Sequence, residues 1–302
     1  MTARAAGLLG LVLLVLTGCA GAVPPPVARD DAVVVASFDF PESVLLAEVY
    51  AQALEQAGVP VRREPRLGPR ELVLPALRQG QVDVVPEYLG TALTALGAED
   101  LRGVGVTEAH QRLAAALAPE GLLALQPAAA QNQNGLVVTR DVADRLRLRT
   151  TSDLRPHADQ LALVGPPECP RRPLCLPGLR AVYGLEFARF VDYPSPSQRQ
   201  TALAQGIADV AVAFTTDGRL AGDELVLLAD DRGLQPVENV LPVVSRRAVD
   251  RHGQGVVTAL DAVSARLDLE GLRFLSWRTE VEGKPVVDEA RGWLLRQGLV
   301  PR

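Results

Sequence analysis

Short apolar runs alternate with segments of helical period along most of this chain. Val33-Val34-Val35-Ala36-Ser37 is apolar over a strand's length, the pattern of a strand buried on both faces. Phe38-Asp39-Phe40-Pro41 breaks it. From Glu42 to Ala57 the apolar positions Val44, Leu45, Ala47, Val49 and Leu54 follow a helical period, and Gly58 supplies a stop. Val59 to Glu64 reads as a strand, Pro69 to Gln79 as a helix stopped by Gly80, and Val82-Asp83-Val84-Val85-Pro86 as a third strand. Helices follow at Gly90 to Leu96 and Glu108 to Leu117. Strand, helix, strand, helix, strand is the order of an α/β lobe, and it predicts parallel sheets.

A second unit repeats the pattern. Gly135 to Thr139 reads as a strand, Asp141 to Leu146 as a helix, Ser152-Asp153-Leu154 as a short capped helix, and Leu161 to Gly165 as a strand. Leu176 to Tyr183 and Ser197 to Gln205 are helical; Gly206 stops the latter before the strand Asp209 to Phe214. Leu77-Arg78-Gln79-Gly80-Gln81-Val82-Asp83-Val84 is echoed by Leu203-Ala204-Gln205-Gly206-Ile207-Ala208-Asp209-Val210, which suggests one copy per lobe. Asn239 to Val244 reads as a strand returning to the first lobe. Helices at Val256 to Leu267, Leu272 to Glu282 and Val286 to Gln297 close the chain. The expected organisation is two α/β lobes, 31–130 plus 240–302 and 131–239, joined by a two-stranded hinge around a ligand cleft.

The N-terminal end has a different character. Arg4 precedes an apolar run from Ala5 to Leu16 that is short for a bilayer span and closes on small residues, as a signal peptide does. Leu16-Thr17-Gly18-Cys19 fits the bacterial lipobox, with Cys19 the lipidated thiol. Residues 1–19 are then a lipoprotein signal peptide and 20–30, with Pro24-Pro25-Pro26, a tether. This predicts an exported chain, lipid-anchored to the outer face of the cell membrane.

Composition excludes several classes. A net charge of -5 argues against a nucleic-acid partner. Of three cysteines, Cys169 and Cys175 remain after Cys19. In an exported chain this pair predicts a disulfide, since a zinc site needs more ligands and His110, His157 and His252 show no matching spacing. No Gly-x-Ser-x-Gly elbow, phosphate loop or His-Glu-x-x-His is present, so no enzyme, metal or cofactor is expected. Asp230-Asp231 before Gly233 reads as a solvated turn.

Three segments fall where α/β lobes collect ligands, at the carboxyl ends of strands: Ser37 to Ser43, Glu87-Tyr88-Leu89-Gly90-Thr91, and Phe214-Thr215-Thr216-Asp217-Gly218. The first leads into a helix N-terminus. A zwitterionic quaternary amine needs aromatic faces for its ammonium and fixed donors for its carboxylate. Tyr88 supplies a face, with Phe40, Phe38 or Phe214 beside it; Arg172 or Arg171 would clamp the carboxylate. Tyr50 and Tyr183 fall within or at the end of helices and are expected in the core.

The same stretches resemble the glycine betaine/carnitine/choline-type substrate-binding lipoproteins of ABC transporters, the OpuAC-, ProX- and OsmF-like group. The resemblance runs from Phe40-Pro41-Glu42-Ser43 and Leu54-Glu55-Gln56-Ala57-Gly58 through Pro86-Glu87-Tyr88-Leu89-Gly90-Thr91, close to the family's Pro-Glu-Tyr-Thr-Gly-Thr. It continues in Tyr183-Gly184-Leu185, Phe214 to Gly218 and Leu227 to Asp231. It implies a type II periplasmic-binding-protein fold closing on its ligand, a monomer that delivers a quaternary-amine osmolyte to ABC permease subunits. It makes Tyr88 a cage wall and Thr91 a polar contact, and Arg172, within Pro167 to Pro173, the carboxylate-binding arginine. Thr216 and Asp217 become second-lobe contacts. Phe40 and Ser43 lie in the strongest stretch. Where relatives read Asn-Asn-Thr-Tyr-Ala-Leu, this chain reads Gln131-Asn132-Gln133-Asn134-Gly135-Leu136, so Asn134 stands in place of a cage tyrosine. That difference leaves open a larger zwitterion, ergothioneine-like or carnitine-like, or a sensory or scaffolding role without transport.

Overall fold

The computed structural model describes residues 31–301. The lipobox at Cys19 and the tether lie outside the described residues. The first sheet is laid down by β1 (Val33–Phe38), α1 (Pro41–Gln56), β2 (Val61–Gly68), α2 (Arg70–Arg78), β3 (Val84–Tyr88), α3 (Leu89–Ala95), α4 (Val106–Leu117) and β4 (Leu122–Ala124). The second comprises β5 (Asn134–Thr139), α5 (Arg140–Leu146), β6 (Ala162–Gly165), α6 (Leu176–Gly178), β7 (Arg189–Asp192), α7 (Pro196–Ala204), β8 (Val210–Phe214) and β9 (Leu225–Leu228). The chain then returns through β10 (Val240–Ser245), α8 (Arg246–His252), α9 (Gly255–Ser264), α10 (Leu269–Ser276) and α11 (Val286–Arg296). Strand orders are β2-β1-β3-β10-β4 and β7-β6-β8-β5-β9.

The sheets are mixed, where the sequence pattern predicts parallel ones. β1 runs parallel to β2 and β3, but β10 is antiparallel to β3 and β4; β6 is parallel to β7 and β8, but β5 is antiparallel to β8 and β9. The reason is the double crossing. β1, β3, β6 and β8 end at the cleft, whereas β5 and β10 begin there, on emerging from the crossing segments, and run away from it. Hydrophobic runs carry no direction, so the pattern was blind to this. It also passed over β4 and β7, short edge strands without a readable period, and α8. The segment Leu176 to Tyr183 is one short helical turn followed by a π-helical turn at Leu179–Tyr183; α10 likewise continues into a π-helical turn at Trp277–Val281.

Alternate residues of β1 serve two cores. Val33 and Val35 pack with α1, α9, α10 and α11, while Val34, Ala36 and Phe38 pack with α2, α3 and α4. Leu45, Leu54 and Trp293 are no more than 2% exposed, and burying a side chain of such size contributes about 1.5–3 kcal/mol. Tyr50, fully buried, bonds its hydroxyl to Ser264 at 3.2 Å and ties α1 to α9. Tyr183 is also core, its hydroxyl on Asp230.

The echo between the two halves has a physical cause. Gly80 and Gly206 both adopt left-handed backbone, with φ of 66° and 67°, which turns each helix end into the following strand. Each aspartate then clips its strand to the neighbouring one. Asp83 accepts from the Val34 amide at 3.1 Å and returns its own N–H to the Val34 carbonyl at 2.8 Å. Asp209 does the same with Ala162, both distances being 2.9 Å.

Candidate functional site

The end of β1 and the start of α1 are held by serines. The Ser37 hydroxyl donates to the Phe38 carbonyl, and the buried Ser43 Oγ accepts from the Phe38 N–H, each at 2.9 Å. Pro41 begins α1 at a position where its missing N–H costs nothing. The turn projects a row of rings. Phe38 stacks on Phe40 with centroids 5.8 Å apart, and Phe40 lies 6.0 Å from Tyr88 at the end of β3. The far face of Phe38 is taken by Arg70, 4.7 Å from the centroid, which also pairs with Glu87 at 2.8 Å. Phe40 remains 36% exposed.

Beneath this row lies Glu42, buried in the first turn of α1. Its carboxylate accepts from the Tyr88 hydroxyl at 2.6 Å and from Asn132 Nδ2 at 2.8 Å, and it is hydrogen-bonded to the Thr216 side chain. These three partners come from the first sheet, the crossing segment and the end of the second sheet. Burial pushes the Glu42 carboxyl above its ordinary value, partly offset by these hydrogen bonds. Burial, then the adjacent carboxylate, pushes the Tyr88 phenol up as well.

The two crossing segments are bonded to each other. Gln131 bridges to Asn239, the Asn132 amide donates to the Glu238 carbonyl at 2.9 Å, and Val240 N–H donates to Ala130 at the same distance. Thr91 is committed to this region: its N–H and hydroxyl reach the Glu238 carboxylate at 3.0 and 2.7 Å. In the second lobe Asn134 and Phe214 face each other in register across β5 and β8, and Phe214 is 43% exposed. Thr215 accepts from the Gln133 amide at 2.9 Å and donates to the Gln131 carbonyl at 2.8 Å. Its own carbonyl takes Arg273 Nε at 2.6 Å, from α10. Asp217 accepts from the Arg219 N–H at 3.0 Å and from the Gln200 amide. Gly218 packs so closely on the Ser276–Trp277 backbone that a Cβ there would sit 2.4 Å from the Trp277 nitrogen. Glu280, beyond Trp277, is pushed up to about 7 by partial desolvation and then by the charges of Glu42 and Asp217, with Arg219 opposing.

The structure thus brings Phe40, Ser43, Tyr88, Thr91, Thr216 and Asp217 to the strand ends and turns around the crossing, with Asn134 and Phe214 alongside. Leu174 and Cys175, from the loop that carries Arg172, line a pocket together with Asn134. Arg172 sits in the loop closed by the Cys169–Cys175 disulfide, whose Cα atoms are 5.2 Å apart, with its side chain 65% exposed and paired to Glu168 at 2.9 Å. The sequence pattern missed Glu42 as a site residue, although it lies inside the Phe40-Pro41-Glu42-Ser43 stretch. It also missed Asn132, Thr215 and Glu280; Glu280 comes from near the far end of the chain and carries no local signal.

Comparison with known proteins gives a consistent set of likenesses. The OpuAC family, described as the substrate binding domain of ABC-type glycine betaine transport system, matches residues 31–296. A glycine-betaine-binding protein of Pseudomonas aeruginosa is 28% identical over 283 residues, covering 90% of this chain and 90% of that protein. The glycine betaine-binding protein YehZ of Escherichia coli is 29% identical over 268 residues, 85% of this chain and 88% of YehZ. The apo structure of YehZ superposes with a TM-score of 0.78 at 26% identity, covering 90% of this chain and 100% of that one.

Proposed function

The chain belongs to the OpuAC family of substrate-binding domains of ABC-type glycine betaine transport, and from that premise we propose that it closes its two lobes on a glycine betaine-class quaternary amine and hands it to a permease. It is a substrate-binding component of the glycine betaine-type ABC system, in a family of extracytoplasmic binding proteins. The finer assignments follow from the residues.

The observation that carries the reading is the placement of three rings. Phe40 lies in the turn between β1 and α1, Tyr88 ends β3 and Phe214 ends β8; Phe40 and Phe214 are the exposed ones. A trimethylammonium group offers no donor, so its favourable partners are aromatic faces, each worth about 0.5–2 kcal/mol according to desolvation. The carboxylate of the ligand turns to the Asn134 amide, exposed beside Phe214. Ser43 and Thr91 spend their hydroxyls on Phe38 and Glu238, so they shape the walls. Thr216 and Asp217 set the second-lobe turn. Arg172, at the surface with Glu168, stays outside the ligand shell. The protein acts as a monomer and is tethered through lipidated Cys19; the tether is supported by the lipobox sequence.

Isothermal titration of the purified protein with glycine betaine, proline betaine, choline, carnitine and ergothioneine tests this. Saturable binding that is lost in Phe40→Ala and Phe214→Ala is the expected result. A folded protein that gives no heat with any of the five would overturn it.

A further inference from the structure

The Glu42 carboxylate fixes more than the Tyr88 ring. One of its oxygens, Oε1, accepts both from the Tyr88 hydroxyl at 2.6 Å and from Asn132 Nδ2 at 2.8 Å. Two donors on one oxygen are neighbours, so the Asn132 amide lies beside the tip of the ring that stands 6.0 Å from Phe40. The shared carboxylate also decides which way that amide faces. A carboxylate takes the N–H end of an amide, which turns Asn132 Oδ1 away from it. There Oδ1 is buried, and among the described residues nothing donates to it. The backbone is anchored as well, the Asn132 N–H donating to the Glu238 carbonyl at 2.9 Å. Flipping the amide or shifting the chain would therefore break a bond already made.

Buried polar groups in folded proteins are nearly always paired, and an acceptor held without a donor is unfavourable. Gln131, Asn239 and Gln200 also carry side-chain oxygens without a partner. The amide of Asn239 is tied to the Ala128 carbonyl and that of Gln200 to Asp217. Gln131, bridged to Asn239, is one residue out of step with Asn132, and successive side chains of extended chain face opposite ways. Asn132 is the one whose amide is bonded into the ring wall.

We propose that Asn132 is a specificity-determining residue of the ring site, and that the quaternary amine it selects carries a hydroxyl on the second carbon from the nitrogen, as choline and carnitine do, in preference to glycine betaine, which has no donor. The trimethylammonium lies on the faces of Phe40 and Tyr88, and the hydroxyl, only two carbons away, donates to Asn132 Oδ1 at the edge of the Tyr88 ring. A site built to hydrogen-bond a ligand hydroxyl discriminates against the analogue that lacks it, because the buried acceptor is then left unpaired.

The inference rests on the quaternary-amine reading, and matched ligands separate the two. Calorimetry of the purified protein compares carnitine with γ-butyrobetaine, which differ only in that hydroxyl, and choline with its O-methyl ether. The wild type is expected to bind the hydroxyl member of each pair at least ~5-fold more tightly. Asn132→Ala should bring both ratios within about twofold of one. Asn132→Ser, a smaller cut that retains a donor for Glu42, is expected to do the same. Asn134→Ala should weaken carnitine and γ-butyrobetaine alike and leave their ratio unchanged. A merely structural role for Asn132 would weaken both members of a pair equally and preserve the wild-type ratio. Equal affinities within the pairs in the wild type, a comparison that needs no variant to fold, overturn the inference and leave the quaternary-amine reading standing. A wild-type ratio in either folded Asn132 variant overturns it too. A folded wild type that gives no heat with these four ligands or with glycine betaine overturns both.

Discussion

Replacing Asp83 by Ala tests whether the repeated Gly-x-x-Asp element is a structural clip and whether its two copies are equivalent. Asp83 is 1% exposed and its carboxylate serves three groups: the Val34 amide at 3.1 Å, the Ser245 hydroxyl at 2.7 Å and the Arg251 guanidinium at 3.3 Å. Removing it leaves the Val34 N–H buried without its partner, at about 1–3 kcal/mol, and forfeits a charge-assisted bond to Ser245 worth about 1.5 kcal/mol or more. Ser245 retains the Ala248 amide and Arg251 can turn to water, so those groups add little. The expected cost is about 3–4 kcal/mol. In Asp209→Ala only the Ala162 amide loses its acceptor, at a partly exposed site that water can enter, and the cost is about 1 kcal/mol. At roughly 2–4 °C per kcal/mol for a domain of about this size, Asp83→Ala should lower Tm by ~6–16 °C and Asp209→Ala by ~2–4 °C. Thermal scans and urea titrations followed by circular dichroism measure both. Equal losses in the two variants, or an Asp83→Ala protein within about 1 kcal/mol of wild type, would refute the clip as drawn.

Three further outcomes follow from the site. Tyr88→Phe keeps the ring but removes one of the donors to the buried Glu42 carboxylate, so it should cost about 1–2 kcal/mol of stability and weaken glycine betaine binding less than Tyr88→Ala does; unfolding curves and calorimetry read the two effects separately. Arg172→Ala should leave affinity within about twofold and stability within about 0.5 kcal/mol, since an exposed i,i+4 pair is worth no more than that; a large loss of binding would return Arg172 to the ligand shell. Replacing both Cys169 and Cys175 by Ser opens a loop with a sequence separation of 6, and chain entropy gives about 2 kcal/mol of destabilisation, read as a lower denaturant midpoint than in the oxidised wild type.

Particular residues show what the sequence could reveal. The position of Phe40, Tyr88, Thr216 and Asp217 at strand ends and turns was legible because each follows a run that reads as a buried strand. The clip was visible as an echo, though not its hydrogen bonds. Glu42 was not visible, because its meaning lies in contacts to Asn132, 90 positions away, and to Tyr88, 46 positions away; nothing near Glu42 in the chain encodes them. Arg172 is a different case: its local motif suggests a clamp, and its side chain is exposed and paired with Glu168 in the disulfide loop. Strand direction was misjudged for the same kind of reason, since direction is set by which end of a strand enters from the hinge.

The polar residues around the cleft share one property. The Ser43 hydroxyl is spent on Phe38, Thr91 on Glu238, Tyr88 on Glu42, Thr215 on the Gln131 and Gln133 backbone, and Asp217 on Gln200 and Arg219. Bonds of this kind hold the wall in place before a ligand arrives, and so lower the ordering cost of binding. The side-chain oxygens without a partner near the crossing are acceptors, those of Gln131, Asn132, Gln200 and Asn239. Phe40, Phe214 and Asn134 are exposed. A ligand whose bulk is a donorless cation suits such a wall, because it asks for faces and shape where a primary ammonium would ask for acceptors. Selectivity among quaternary amines should accordingly shift when Phe40 or Phe214 is replaced by Ala, which calorimetry across the ligand series measures.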